Sequence, residues 1–327
     1  DRYAFSTMGC VASVEKVKES AAETVTSLVS DYDAFLFDCD GTLYHAGTLL
    51  ANVAEALIHL RSLGKKVFFV TNTSSRSSEQ LQRKLSKMGV PCTASECIPS
   101  GVFTADYVKR NHPDARRVYV IGGQGVVDEL KKQGIASSGG PSEDMQVFVD
   151  TGFEALAEQI GSERYDGVVV GWDTALNYYK IVKSALVFQK HPNCFFYATN
   201  DDLADRVGEF LLPGNGCLLP TIEASCAACA PQRKSREAPY GVTATSLGKP
   251  NPDYARLIAE WNGIDLKRAV MIGDRLDTDI EMGIKAGMGS CFVLTGVDDL
   301  EQIAAKGITP TFVLPQVGCI WTERAGS

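Results

Sequence analysis

The chain has 327 residues, 45% of them hydrophobic and 22% charged, with a formal net charge of −8. That composition describes a globular protein of one to three domains with enough apolar mass for a full core. The acidic balance argues against a nucleic-acid or anionic-membrane partner, which is met with excess Lys and Arg, and no 18-residue apolar run is present to span a bilayer.

Counted from Met8, with Asp1–Thr7 as an added leader, Met8-Gly9-Cys10-Val11-Ala12-Ser13 fits the N-myristoylation pattern on Gly9, with Cys10 open to palmitate. Membrane association is expected only if these two residues are lipidated. Residues 13–30 read as a polar helix. The first strand is expected at 34–38, followed by a helix with Val53, Ala56, Leu57, Leu60 and Leu63 on one stripe, stopped by Gly64. A strand at 66–71 precedes a helix with Leu81, Leu85 and Met88 on one face, ending at Gly89, and a further helix is expected at 101–109. Strands are expected in the middle at 118–121, 147–149, 168–170 and 194–198, while Gly139-Gly140-Pro141 and residues 217–240 read as loops or connectors. The basic stretch Arg233-Lys234-Ser235-Arg236 reads as solvated loop. Asn251 caps a later helix with Pro252 at its first position and Tyr254, Leu257, Ile258 and Trp261 as its stripe. Strands at 269–273 and 291–294 flank a helix over 279–286, stopped by Gly287.

This alternation of short strands and helices predicts parallel βαβ units. Acidic motifs that belong in one site lie on both sides of the middle segment. The fold is therefore read as an α/β core, residues 31–106 and 244–327, interrupted by an inserted α/β domain, residues 107–243, after an N-terminal extension, residues 1–30. Ten cysteines without regular spacing read as reduced thiols of a cytoplasmic protein, with an organelle such as the chloroplast also compatible. Cys226 and Cys229 form one CxxC without the second pair that a zinc ribbon needs.

Four motifs carry chemistry. Asp38-Cys39-Asp40-Gly41-Thr42-Leu43 ends an apolar strand, where ligands bind in open α/β sheets. One carboxylate there can attack a phosphoryl group; a second, two residues on, can protonate the leaving oxygen and then deprotonate water. Gly41 permits the turn between them, although a turn bearing two exposed aspartates fits the hexapeptide alone. Gly273-Asp274-Arg275-Leu276-Asp277-Thr278-Asp279 follows a second apolar strand. Its carboxylates, added to Asp38 and Asp40, make a negative excess whose hard oxygen donors suit magnesium, with helix capping as the alternative for Asp277 or Asp279. Thr71, Asn72 and Thr73 put hydroxyl and amide donors at a strand end, suited to phosphate or to an ordinary helix cap. Lys249, held between Gly248 and Pro250 before a helix, can neutralise nucleophile and phosphate together.

In this order the four motifs resemble those of the haloacid dehalogenase-like (HAD) phosphatase superfamily. The resemblance implies a Rossmann-like parallel-sheet HAD core with an inserted α/β cap domain. It implies Asp38 as nucleophile, Asp40 as general acid/base whose carbonyl also binds Mg2+, Thr71 on the phosphate and Lys249 as the stabilising lysine. Asp274 is implied as a metal ligand with Asp38 and Asp40, and Asp279 as the carboxylate behind it that orients metal-bound water. The insert resembles the C2-type cap of the phosphoglycolate, pyridoxal and 4-nitrophenyl phosphatase subgroup through Val118-Tyr119-Val120-Ile121-Gly122, Gly171-Trp172-Asp173, Tyr178-Tyr179-Lys180, Ala198-Thr199-Asn200 and Pro213-Gly214-Asn215-Gly216. The chain departs from that pattern at Thr73, at 201–206 and in the long stretch 221–245, all of which bear on substrate. The implied activity is hydrolysis of a small phosphate ester through an aspartyl-phosphate. 2-Phosphoglycolate is favoured, with Arg206 as a candidate for its carboxylate; pyridoxal 5′-phosphate is the runner-up and broad 4-nitrophenyl phosphatase activity follows. A homodimer through the cap is implied as well. A lipid-anchored scaffold is the non-enzymatic alternative, which the presence of both Asp38 and Asp40 disfavours.

Overall fold

The computed structural model describes residues 13–149, 152–207, 210–230 and 242–321. Gly9, Cys10 and the Arg233-Lys234-Ser235-Arg236 stretch lie outside the described residues, as does the Arg206 side chain. The chain does not enter as one polar helix. Ser13 caps α1 (Val14–Glu19), and α2 (Ala21–Asp31) follows with Val25 and Leu28 buried against the main core. Spaced apolar residues in a polar run make these helices amphipathic, which an overall polarity count overlooks.

The first unit alternates strand and helix as expected. β1 (Ala34–Phe37) runs into a small hairpin, β2 (Tyr44–His45) and β3 (Thr48–Leu49). Helix α3 (Val53–Ser62), β4 (Lys66–Thr71), α4 (Ser78–Lys87), β5 (Cys97–Pro99) and α5 (Ser100–Asn111) follow. Ser77 and Gln80 form a reciprocal capping box at the start of α4, and Leu81 and Leu85 bury its apolar face.

The second unit comprises β6 (Arg117–Ile121), α6 (Gln124–Lys132), β7 (Ala136–Gly139), α7 (Phe153–Ser162), β8 (Gly167–Val170), α8 (Tyr178–Lys190), β9 (Phe195–Ala198), the hairpin β10 (Ala204–Val207) and β11 (Phe210–Pro213), α9 (Leu219–Cys229) and β12 (Thr245–Ser246). Two expectations fail here. Residues 147–149 form no strand: β7 already occupies the sheet edge beside β6, and Val147 and Val149 are exposed. The stretch 217–240 is not all connector, because α9 begins with Pro220 in its first turn and buries Ile222 and Cys226.

The chain then returns through α10 (Pro252–Asn262), β13 (Ala269–Gly273), a π-helical turn (Leu276–Ile280), α11 (Glu281–Ala286), β14 (Gly289–Val293), α12 (Leu300–Lys306) and β15 (Phe312–Leu314). Two parallel sheets result. The first has the order β15-β14-β13-β1-β4-β5 and the second β12-β9-β8-β6-β7. This is the expected mixed α/β architecture. Thr245–Ser246 pairs with β9 of the second sheet, so the chain rejoins the first sheet only after it. Helix α5 serves both cores: Phe103 packs in the first, Ala105 and Val108 in the second. No helix among the described residues is long and apolar enough to cross a membrane.

Register positions the site. Phe37 of β1 lies beside Ile272 of β13 and Phe69 of β4, so three strands end within two residues of one another at one edge of the sheet. Phe69 is fully buried at the centre of that layer. We predict that Phe69→Ala destabilises the protein by about 3–5 kcal/mol in denaturant unfolding; a loss below about 1 kcal/mol would mean that this layer does not hold the strand ends in register.

Candidate active site

Asp38 follows β1, and its backbone N–H donates to Ile272 O at 2.8 Å, extending the ladder one residue. Gly41, with φ +85°, turns the chain back so that Gly41 N–H donates to Tyr44 O. Lys249 reaches the same point from the loop before α10, across a cis Lys249–Pro250 peptide. Its Nζ lies 2.5 Å from Asp38 Oδ1, 2.7 Å from Asp279 Oδ1 and 3.0 Å from Val70 O. Lys249, Asp279 and Asp38 are all buried.

Asp274 follows β13. Thr42 Oγ1 donates to its Oδ1 at 3.2 Å and Val297 N–H to its Oδ2 at 2.8 Å. Gly296 makes this cradle possible, since a Cβ there would lie 1.7 Å from Asp274 Oδ2. Asp279 is turned inward by the π-helical turn and accepts from Arg275 N–H at 3.2 Å. Carboxylate oxygens of Asp38, Asp274 and Asp279 all lie within 4.8 Å of one another. Among the described residues this is the single such group of metal-capable side chains, and the Cys226–Cys229 pair is not in one.

The electrostatics follow from burial. Loss of water pushes the Asp38 carboxyl well up; Lys249 opposes this, while Asp279 and Asp274 add to it. Burial, then Asp279, raises Asp274 to about 7. Burial lowers Lys249, but Asp279 and Asp38 more than reverse that and hold it above its ordinary value. One ammonium thus faces three carboxylates. The residual negative charge and the all-oxygen donor set fit a hard divalent cation, which removes the cost of ionising Asp38 and Asp274 together.

A cavity of about 380 Å3 opens over these groups. Asp38, Asp40, Thr71, Asn72, Thr73, Lys249, Asp274 and Asp279 all line it. Thr71 Oγ1 accepts from Thr73 N–H at 3.1 Å. The Asn72 side chain is committed elsewhere. Its Oδ1 accepts from Lys249 N–H at 2.8 Å, and its Nδ2 donates to Lys249 O and to Asp202 Oδ2. Asn72 therefore fastens the lysine loop and the second domain to the strand end. Asp40 stands half-exposed at the rim, with Tyr44 OH donating to its Oδ2 at 2.7 Å. Asp277 points away and pairs with Lys306 at 2.9 Å, so it caps no helix and joins no metal group. Arg206 lies on the β10 strand; its side chain is outside the described residues.

The sequence pattern assigns no site role to several wall residues, although Trp172, Asn200, Asn215 and Arg275 lie in the quoted motif stretches and Asp202 and Asp205 in the departure at 201–206. From the second domain come Trp172, Asn200, Asp202, Asp205 and Asn215, and from the first Arg76, Lys84 and Arg275. Arg275 Nη1 donates to Ala204 O at 3.1 Å, and Asn200 Nδ2 to Asn72 O at 2.8 Å, which ties the second domain to the strand ends. Burial, then the Asp202 charge, raises Asp205 to about 6. These residues meet only through tertiary contact, which no short spacing encodes.

Residues 35–136 match the family profile described as haloacid dehalogenase-like hydrolase, and residues 246–319 a HAD-hydrolase-like profile. Phosphoglycolate phosphatase 2 of Arabidopsis thaliana is 37% identical, over 86% of this chain and 89% of its own length. The 4-nitrophenylphosphatase of Schizosaccharomyces pombe is 33% identical, over 88% of this chain and 92% of its own. The crystal structure of a 4-nitrophenylphosphatase from Thermotoga maritima superposes with a TM-score of 0.71 at 28% identity, covering 89% of this chain and 97% of that one. The chain belongs to the haloacid dehalogenase-like hydrolases, within which it is a phosphoric monoester hydrolase.

A carboxyl raised by burial stabilises the fold while it stays protonated, and that contribution is lost as pH climbs from its ordinary value of 3.8 through about 7. We predict that, without divalent metal, Asp274→Asn gains thermal midpoint relative to the wild type between about pH 5 and about pH 8. Saturating magnesium at the higher pH should raise the wild-type midpoint and leave that of the variant nearly unchanged. A difference that does not vary with pH would contradict the burial argument.

Proposed function

We propose that the protein is a magnesium-dependent phosphomonoesterase that works through an aspartyl-phosphate on Asp38, with 2-phosphoglycolate as its substrate. The observation that carries this reading is the Lys249 ammonium bridging Asp38 and Asp279 beside Asp274. A carboxylate so placed is a fixed nucleophile rather than a turn aspartate. Held by the carboxylates of Asp38 and Asp274 and the backbone carbonyl of Asp40, magnesium would neutralise charge on the phosphate oxygens.

The chain's own groups divide the remaining work. Asp38 attacks phosphorus, and Lys249 neutralises both the nucleophile and the phosphate oxygens. Thr71 and Thr73 offer hydroxyls to the transferred group. Asp40 gives a proton to the leaving oxygen, then takes one from the water that hydrolyses the intermediate. Asp279 holds Lys249 in place and lies behind the metal ligands, where it would orient metal-bound water. Asn72 reads better as the fastener of the Lys249 loop than as a phosphate ligand, because its amide is already bonded.

A cavity of about 380 Å3 suits a small ester. Arg76 and Arg275 in its wall supply countercharge for a second anionic group, such as the carboxylate of 2-phosphoglycolate, and Arg206 on the hairpin remains a further candidate for it. The 37% identity to a phosphoglycolate phosphatase supports the same choice. Trp172 in the wall supports a second reading, an aryl ester such as pyridoxal 5′-phosphate or 4-nitrophenyl phosphate. A cytoplasmic enzyme that dimerises through the second domain completes the proposal; the exposed Leu203, Phe210 and Leu212, on one face of the β10–β11 hairpin, supply an apolar surface.

We predict the highest kcat/KM for 2-phosphoglycolate among these three esters, loss of turnover on chelation, and recovery with magnesium. Asp38→Asn should lower kcat by at least about 10⁴-fold while the fold persists by circular dichroism. Turnover that survives chelation would remove the metal, and turnover that survives in the variant would remove the nucleophile.

A further inference from the structure

Asp40 is the one reacting group that the buried cluster does not hold. Its side chain is about 50% exposed, and Lys249 touches Asp38 and Asp279 but not Asp40. A flexible acid at a rim would spend most of its time misdirected. Two residues outside the four motifs prevent this.

Tyr44 is the first residue of the β2–β3 hairpin that follows the Asp38–Leu43 motif, and it is 1% exposed. The Gly41 N–H to Tyr44 O bond closes the loop that carries Asp40. The Tyr44 hydroxyl donates to Asp40 Oδ2 at 2.7 Å. Lys84 arrives from α4, a separate element. Its ammonium donates to the Tyr44 hydroxyl at 2.7 Å, sits 4.0 Å from the centre of the Tyr44 ring, and lies 3.8 Å from Asp40 Oδ1. An ammonium only donates, so it occupies the phenol oxygen's lone pair and directs the phenol proton onto the carboxylate.

We infer that Tyr44 and Lys84 are positioning residues for Asp40: Tyr44, its hydroxyl oriented by Lys84, occupies Oδ2, while Oδ1, 3.8 Å from the Lys84 ammonium and beyond hydrogen-bond reach of it, is the oxygen that carries the transferable proton toward the leaving group. This rests on the reading of Asp40 as general acid. In the first step the Asp38 oxygen–phosphorus bond forms and the ester P–O bond breaks. The proton on Asp40 Oδ1 passes to the departing oxygen, leaving Asp40 as a carboxylate. In the second step water attacks phosphorus, the Asp38–phosphorus bond breaks, and Asp40 Oδ1 regains a proton from that water. With Oδ2 held by the Tyr44 hydroxyl, both transfers use Oδ1 in one orientation.

The chemistry distinguishes positioning from packing. An alkyl leaving oxygen needs its proton, whereas 4-nitrophenolate departs readily without one. Tyr44→Phe keeps the buried ring and removes only the hydroxyl; Lys84→Met keeps the apolar stem and removes the ammonium. Each should lower kcat/KM for 2-phosphoglycolate by roughly tenfold, a fraction of the 10²–10⁴ that a general acid supplies, and lower kcat/KM for 4-nitrophenyl phosphate by less than about twofold. Equal losses on both esters, or no loss on either, would overturn the positioning role. Asp40→Asn, measured with the same pair, separates the two layers. A split in Asp40→Asn without one in Tyr44→Phe rejects Tyr44 alone. No split in Asp40→Asn rejects the acid assignment, and this inference with it.

Discussion

The Lys249 ammonium between Asp38 and Asp279 is the interaction on which the rest of the site depends. Three buried carboxylates within 4.8 Å repel one another. At the effective dielectric of a protein, unit charges about 4 Å apart interact by about 4 kcal/mol, and burial adds the loss of hydration. A single lysine cannot balance three such groups. The cluster must hold protons or attract a cation, and its raised carboxyls record the first condition. A divalent ion would meet the second, and in the proposed mechanism it would do so where an anionic ester approaches an anionic nucleophile.

The architecture serves to keep these charges together. Neighbouring strand ends deliver Asp38, Thr71 and Asp274 from adjacent strands of one parallel sheet. Lys249 comes from a loop whose backbone is bonded on both sides by the Asn72 amide. That amide also reaches Asp202 of the second domain, so one side chain joins the Lys249 loop, the end of β4 and the second domain. The second domain is thus linked to the Lys249 loop through the same Asn72 amide that holds the lysine. Its wall mixes Trp172 with Asp202 and Asp205, while the described cations of the cavity come from the first domain.

Much of this could be read from the residues in order. β4 and β13 fall on the expected 66–71 and 269–273, because strands buried on both faces are short, dense apolar runs bounded by charge. The residues of the four motifs meet because each motif sits at a strand end or helix start, and topology brings such ends to one edge. What could not be read shares one cause. The two-residue β12 and the α9 helix owe their existence to neighbours already in place. Asp277 and Asp279 are two residues apart, yet one meets Lys306 and the other Lys249, because the π-helical turn sends them to opposite sides. Thr42, Tyr44 and Lys84 acquire their roles only through partners distant in sequence or across a turn.

Covalent capture of Asp38 addresses the mechanism most directly. Acid quenching during steady turnover of 2-phosphoglycolate with magnesium, followed by borohydride reduction, converts an acyl phosphate to the alcohol, which peptide mass spectrometry locates. Reduction at residue 38 and at no other carboxylate is the predicted result. A reduced residue at Asp40, Asp274 or Asp279, or none under conditions of full activity, would contradict it.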